Sequence, residues 1–281
     1  MPDPFFILNS PFKTIENESE FFELLQNSRH LCDILYKPAE IVNKKIKNTK
    51  FNNISFSKKT ITDTDINNCE FTDCLFIGTD FIKVNFSNCK FIRCNFYKSN
   101  FEQVYAKPSQ FSLAITDKKY SNIAVHLYNQ LRNNYRDDSQ RKYKSEAEYQ
   151  FEVWDARQYL YELKSNKKSL FLHAPILIKK YLHKILFGYG YRTRNLIATT
   201  VTIISILTLI LYSFPQLFFT ESIKPSVVQS IYYTITTMAT LGASGFPNPT
   251  LSGEILIICN VLMGISLLSV TVNSIFKQVI R

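Results

Sequence analysis

The run Thr240-Leu241-Gly242-Ala243-Ser244-Gly245-Phe246-Pro247 holds no acid, base or thiol, yet its backbone can do chemistry. A glycine-punctuated extended segment presents successive carbonyl oxygens, and a ring of such oxygens replaces the hydration shell of a cation. The candidate filter residues are Thr240, Leu241, Gly242, Ala243, Ser244 and Gly245. Val227 to Ala239, just before them, is an apolar, threonine-rich helical stretch of about three to four turns, too short to cross a bilayer. The negative end of its dipole points at the filter run, which favours a cation there. Enzymatic chemistry has no comparable footing. The sequence contains no P-loop, no H-E-x-x-H and no G-x-S-x-G, and His30, His126, His173 and His183 are scattered. No enzyme activity, no cofactor and no metal beyond permeant cations are expected.

Such a loop needs helices to hold it. Leu196 to Thr220 is 25 residues without a charge and Ile255 to Phe276 another 22, each long enough to span a hydrocarbon core. The pore loop between them is expected over about 226–250, and non-helical backbone at membrane depth is tolerated only where protein buries it or water lines it. Residues 1–195 carry a net charge of +9, whereas 196–281 carry +1. Lys179, Lys180, Lys184, Arg192 and Arg194 crowd the approach to the first span, and Lys277 and Arg281 follow the second. Basic flanks stay inside, so both termini are expected in the cytoplasm. The six cysteines then lie in reducing or lipid surroundings, and structural disulfides are not expected. The start, MPDPFFILNSPFK, does not read as a secretory signal.

Pro175 to Phe187 places Ile178, Tyr181, Leu182, Ile185 and Leu186 on one side and Lys179, Lys180, His183 and Lys184 on the other. This basic amphipathic helix is expected to lie among lipid headgroups, with an ordinary linker helix as the alternative. Gly188-Tyr189-Gly190, lacking a pore helix ahead of it, reads as a decoy rather than a filter. Residues 14–36 show helical spacing and are expected to form an N-terminal cap; 120–137 and 141–165 read as two further helices.

Between Phe51 and Phe111 all ten phenylalanines fall in one class modulo five, a coincidence of about one in two million if the classes were random. Ile41, Ile46, Ile61, Ile66 and Ala106 fill the same register. Two residues earlier runs a small or β-branched series, Thr64, Cys69, Cys74, Thr79, Val84, Cys89, Cys94, Ser99 and Val104. Asp65, Asp80, Asn85, Asn95 and Asn100 precede their centres, as turn formers do. A period of five fits neither helix nor strand and signals a solenoid. The pattern resembles the pentapeptide-repeat family, which implies a right-handed quadrilateral β-helix of four pentapeptides per coil. Residues 20 apart would then stack, Phe51 with Phe71, Phe91 and Phe111, and Cys69 with Cys89. The four stacked cysteines are expected to pack as reduced, small apolar groups rather than as disulfides or metal ligands. Residues 46–111 carry a net +3, so an acidic, DNA-imitating role is not expected, and nucleic acid is not an expected partner.

Residues 196–281 resemble the two-transmembrane potassium-channel family. Tyr232-Tyr233 occupies the aromatic pair of that family's pore helix, with Thr236 one turn on, and Thr240-Leu241-Gly242 matches the opening of its T-V-G-Y-G filter. Gly264 falls at its glycine hinge, although a small residue for close helix contact is an equal reading. The resemblance places Ile265, Leu268, Val272 and Phe276 on the pore side as an apolar gate; the opposite choice turns Asn260, Leu267, Thr271 and Ser274 to the pore. Ala243-Ser244-Gly245-Phe246 stands where a selective filter has Tyr-Gly-Asp, so the aromatic that braces the filter is missing and K⁺/Na⁺ discrimination is expected to be weak. The order of parts also resembles bacterial pentapeptide-repeat ion-channel proteins. The expected architecture is therefore multidomain: a helical cap (1–40), the β-helix (41–111), a helical linker (112–168), an interfacial segment (169–195) and an all-α two-transmembrane pore with a re-entrant loop (196–281). The expected function is a homotetrameric, potassium-channel-like cation channel in a bacterial inner membrane, multi-pass, with a cytoplasmic solenoid that gates it, scaffolds it or takes a protein partner or ligand. The competing expectation is a non-conducting, membrane-anchored scaffold.

Overall fold

In a computed structural model of the chain, residues 5–135, 140–165, 170–242 and 245–279 are described. The chain divides into two units, Met1–Leu177 and Ile178–Arg281.

The first unit is built on parallel strands three to seven residues long, stacked so that from β2 onward each strand residue pairs with the one 20 positions on, consistent with a β-helix. One wall is β1 (Lys13–Ile15), β2 (His30–Tyr36), β5 (Lys50–Ser55), β8 (Glu70–Thr72) and β11 (Lys90–Ile92). A second holds β3 (Glu40–Val42), β6 (Thr60–Thr62), β9 (Asp80–Ile82) and β12 (Asn100–Glu102), and a third β4 (Lys45–Lys47), β7 (Asp65–Asn67) and β10 (Asn85–Ser87). Isolated bridges Ser55–Leu75–Asn95 make the fourth.

The expected columns exist. Phe51, Phe71, Phe91 and Phe111 stack with centroids 4.7, 5.1 and 4.7 Å apart and nearly parallel rings; Phe56, Phe76 and Phe96 form a second column at 5.6 and 5.0 Å. The small series from Thr64 to Val104 is buried throughout. Cys69, Cys74, Cys89 and Cys94 are free thiols lying against backbone carbonyls, Cys94 Sγ 3.3 Å from the Phe71 oxygen. Burial pushes the Cys74 thiol well up, and contact with the Cys69 thiol together with burial does the same to Cys89, so both stay protonated.

The turn formers sit elsewhere than expected. Asp65, Asp80, Asn85 and Asn100 lie in strands, where Asn100 Nδ2 donates to Asp80 Oδ1 at 2.9 Å. The left-handed corner comes two residues after each centre, at Asn43, Asn48, Asn53, Asp63, Asn68, Asp73 and Asn88 among others. Asn and Asp tolerate positive φ better than other non-glycine residues, which is why they gather there.

The ends are closed by helices. Only Glu18–Asn27 (α1) of the 14–36 stretch is helical; 30–36 is strand β2, because Leu31, Ile34 and Tyr36 point into the core and pair in register with the next coil. The solenoid thus starts ahead of residue 41. From α1, the fully buried Phe21 covers the first coil, 5.8 Å from Phe56 and 5.0 Å from Tyr36. At the other end α2 (Ser121–Asn134) buries Ile123, Leu127 and Leu131 in the solenoid's own core and is a second cap, not a linker. Asn134 grips Val104 by both its amide hydrogen and its carbonyl, each at 2.7 Å, and the Tyr135 hydroxyl donates to the Ala106 carbonyl at 2.6 Å. An apolar solenoid interior must be covered at both ends. Arg141–Ser165 (α3) packs on α2, burying Trp154. Leu170–Phe187 (α4) crosses the division between the units.

The second unit is helical: α5 (Thr193–Ser213), α6 (Pro215–Phe218), α7 (Val227–Met238) and α8 (Leu251–Val279). Helix α5 stops seven residues short of the expected Thr220, because Pro215 has no amide hydrogen and forces Phe214 out of helical geometry. Both α5 and α8 are long and apolar enough to cross a membrane. Their most apolar windows are only 28% and 11% buried, unlike the core helix of a water-soluble protein.

Candidate functional site

The chain between the two long helices is tied shut at its base. Phe219 bridges Pro249, the Thr220 amide donates to the Asn248 carbonyl at 3.0 Å, and the Thr250 amide and hydroxyl donate to the Phe218 and Leu217 carbonyls at 3.0 and 2.6 Å. A Cβ at Gly253 would overlap the Phe218 carbonyl oxygen, so glycine is what lets α8 approach this closely.

Inside that closed loop stands α7, which ends at Met238, one residue before the expected Ala239. It begins with a capping box: the Gln229 amide donates to Ser226 Oγ at 3.2 Å and the Ser226 amide to Gln229 Oε1 at 2.8 Å. Thr234 and Thr237 return their hydroxyls to carbonyls one turn back, so these polar side chains can be buried in an apolar setting. Tyr233 is buried and Tyr232 is exposed. Thr236 donates to the Tyr232 carbonyl at 2.8 Å.

Helix α7 packs on both α5 and α8. Asn260 of α8 is 1% exposed and its Nδ2 donates to Thr237 Oγ1 at 3.1 Å. The Thr237 hydroxyl is already committed to the Tyr233 carbonyl at 2.7 Å, so the amide must present its NH₂ to Thr237, leaving Oδ1 buried without a protein partner. One turn on, a Cβ at Gly264 would overlap the Met238 carbonyl oxygen. Helix α8 runs unbroken from Leu251 to Val279, so the close-contact reading of Gly264 is the one its surroundings carry.

The filter candidates come at once after α7. Thr240 has φ 61°, an uncommon conformation for a β-branched residue, and Gly242 has φ 75°. The Leu241 amide closes back on the Thr236 carbonyl at 2.9 Å while its side chain is 79% exposed. Among the described residues, nothing lies within 4 Å of the Cβ position of Gly242 or Gly245. Ala243 and Ser244 lie outside the described residues. After the loop Phe246 packs on Tyr233 at 4.7 Å and on Phe219 at 5.3 Å, and those two meet edge-on at 5.3 Å. Phe246 escapes a motif comparison because it falls two positions beyond the five-residue motif that opens at Thr240. Asn260 escapes it too, although it is the one strongly polar side chain between Glu254 and Ser266.

On α8, Asn260, Leu267 and Ser274 are buried within the helical unit, so they do not form an exposed stripe. Ile265, Leu268, Val272 and Phe276 are exposed. Ile265 and Leu268 also line, with Ile235, Met238 and Thr240, a cleft of about 460 Å³ at the end of α7. On α4, Ile178, Tyr181, Leu182 and Ile185 are exposed, and Lys179, Arg192 and Arg194 are exposed beside them; Lys180 and Lys184 are half-buried.

The solenoid surface has a cleft of about 310 Å³ lined by Phe5, Asn9, Asp73, Arg93, Asp117 and Tyr120. Arg93 and Asp73 satisfy each other there in a fork of two 2.7 Å bonds. Among the described residues no cluster of three or more His, Cys, Asp or Glu is placed to hold a metal ion.

With stacked phenylalanines, small inward residues and a 20-residue coil in view, the repeat match is decisive for this part: eight copies of "Pentapeptide repeats" over residues 69–105. Residues 69–105 are pentapeptide repeats. The pentapeptide signature covers just under two 20-residue coils of the stack, and the same registers continue outside it at Leu31, Ile41 and Ile61. No curated protein matches the chain.

Proposed function

We propose that the chain is a membrane-spanning subunit of a cation channel, of the potassium-channel-like type, whose pentapeptide solenoid lies on the cytoplasmic side. One observation carries this reading: a capped short helix, locked between two long apolar helices, delivers its negative end to a loop of left-handed Thr240 and Gly242 with open space around it. A mere anchor needs a single span and gains nothing from such a loop. Helices α5 and α8 are the spans, and the loop between them is re-entrant. The basic residues of α4 and of the turn before α5 sit among anionic headgroups, with Ile178, Leu182 and Ile185 in the acyl boundary. One subunit supplies one loop, so a closed ring demands a cyclic oligomer, a homotetramer by resemblance. Ile265, Leu268, Val272 and Phe276 are exposed on the single subunit and available to line such an axis as an apolar gate.

Phe246 supplies the filter with a brace from a new position, and the loop is expected to hold a shape of its own rather than collapse. Discrimination between K⁺ and Na⁺ is expected to be weak, since the residues after Gly242 depart from the selective sequence. Purified full-length protein in planar bilayers tests the reading: cation current with a small shift in reversal potential between K⁺ and Na⁺ supports it. No current from protein that forms oligomers in liposomes leaves a membrane-anchored scaffold whose solenoid binds a protein partner.

A further inference from the structure

Gly188-Tyr189-Gly190, which takes no part in the filter proposed above, is a tightly constrained turn of the second unit. All three residues are buried and all three have positive φ, at 52°, 56° and 80°. For Tyr189 that conformation is costly, and it persists only where the surroundings impose it. The surroundings do so from three elements. The last carbonyls of α4 are capped by α5: Asn195 Nδ2 donates to the Ile185 carbonyl at 3.2 Å and Thr199 Oγ1 to the Leu186 carbonyl at 2.6 Å. The Tyr191 amide closes the turn on the Gly188 carbonyl at 3.0 Å, and the Tyr189 ring packs edge-on against His183 at 5.5 Å. From α8, Ser274, 2% exposed, donates its hydroxyl to the Gly190 carbonyl at 2.9 Å. A Cβ on Gly188 would press on the Arg192 side chain at 2.6 Å.

We propose that this corner is a latch for the last turns of α8, with Ser274 as its positioning residue. The Ser274–Gly190 bond fixes α8 between Val272 and Phe276, the two lower residues of the exposed stripe assigned above to the gate. Releasing the bond frees that end of α8 while the Asn260 and Gly264 contacts, three to four turns away, still hold the other end to α7. Because α4 and α5 are joined to the same turn, a displacement of α4 is passed to the end of α8 by the Ser274–Gly190 hydrogen bond together with the packing of α8 on that turn. For its consequence the latch rests on the channel reading; for its existence it does not.

The test uses full-length protein in lipid nanodiscs. Ser274→Ala removes the donor and should speed amide exchange across residues 270–276 by about tenfold while leaving 251–264 unchanged. Ser274→Thr keeps the hydroxyl and should restore the wild-type rate. Gly190→Ala attacks the partner turn and should reproduce the faster exchange. In bilayers, Ser274→Ala should change open probability several-fold without moving the reversal potential, a split that mere loss of folded protein cannot give. Unchanged exchange over 270–276 in both Ser274→Ala and Gly190→Ala overturns the latch, as does unchanged open probability in a variant whose exchange has risen. Faster exchange in a protein whose wild type passes no current upholds the latch and sinks the conduction reading instead.

Discussion

The solenoid unit and the helical unit solve opposite problems. The first closes its own core: stacked phenylalanines within, Phe21 of α1 over one end and α2 over the other, so that every large inward residue from Ile41 to Phe111 is buried. The second leaves large apolar residues on its surface along α5, α7 and α8, among them Val228 at 75%, Leu241 at 79% and Leu268 at 65% exposed. Two of its helices, α5 and α8, are long and apolar enough to cross a membrane, and the lipid proposed above would cover this surface. Side-chain burial stabilises the first unit by removing apolar area from water, whereas the second depends on close backbone approach and a few buried hydrogen bonds. Variants that cut one kind of support and not the other separate the two.

The largest effect is expected in the aromatic column. Phe91 is fully buried and stacked between Phe71 and Phe111, so Phe91→Ala removes a ring from a space that cannot collapse, at a cost of about 3–5 kcal/mol. Denaturant unfolding of the full chain in detergent, followed by circular dichroism of the strands, reads that cost. The helical signal of α5 and α8 should survive it; joint loss would merge the two units into one cooperative system.

Next comes Gly264. Gly264→Leu forces a side chain onto the Met238 carbonyl, where even a Cβ overlaps, and should push α8 off the end of α7 at a cost of several kcal/mol, beyond ordinary overpacking. Loss of oligomer and of current, with the solenoid's cysteines still protected from alkylation, is the expected outcome. Alkylation at Cys69, Cys74, Cys89 or Cys94 in that variant would show that the damage spreads to the first unit.

How much of this could be read from residues alone differs between the units for the same reason. In the solenoid one residue type recurs every five positions, and the period itself names the columns, the coil length and the buried small series. What escaped was the strand from His30 to Tyr36, where Leu31 is the column residue and a helical spacing of apolar groups coincides with the strand's inward pattern. The corners escaped too, because Asn and Asp are frequent both before and two after each centre, and only backbone φ tells which are the turns. In the helical unit the two long apolar helices and the short α7 between them were legible by length and charge, except for the early end of α5 at Ser213. The packing of Phe246, the Asn260 amide and the Ser274 bond were not, because each joins residues far apart in sequence with no period to mark them.

A smaller, asymmetric effect is expected at the α7–α8 hydrogen bond. Thr237→Val removes the acceptor and leaves the whole Asn260 amide buried without a partner, which costs about 1–3 kcal/mol. Asn260→Leu removes the amide, its orphaned oxygen included, and leaves Thr237 bonded to the Tyr233 carbonyl, so it should be near neutral for stability. Thermal unfolding of the two variants in one detergent measures the difference. Equal losses would mean that a partner for the Asn260 oxygen exists outside the chain, such as a bound water.

The smallest effect returns to the solenoid. Lys83 holds φ 54° at a corner where Asn68 and Asn88 hold nearly the same angle in neighbouring turns. Left-handed backbone costs a lysine about 1–2 kcal/mol, and glycine avoids that cost but loses about 0.5–1 kcal/mol through its freer unfolded chain. Lys83→Gly should therefore raise stability by a few tenths to about 1 kcal/mol, and Asn88→Ala should lower it by about 1 kcal/mol. A shift of the denaturation midpoint in those two directions, with unchanged slope, ties the corners to backbone conformation alone. Were Lys83→Gly to lower the midpoint, the lysine's side chain would be contributing more on the solenoid surface than its backbone gives up, and the first unit would share the second's reliance on individual polar contacts.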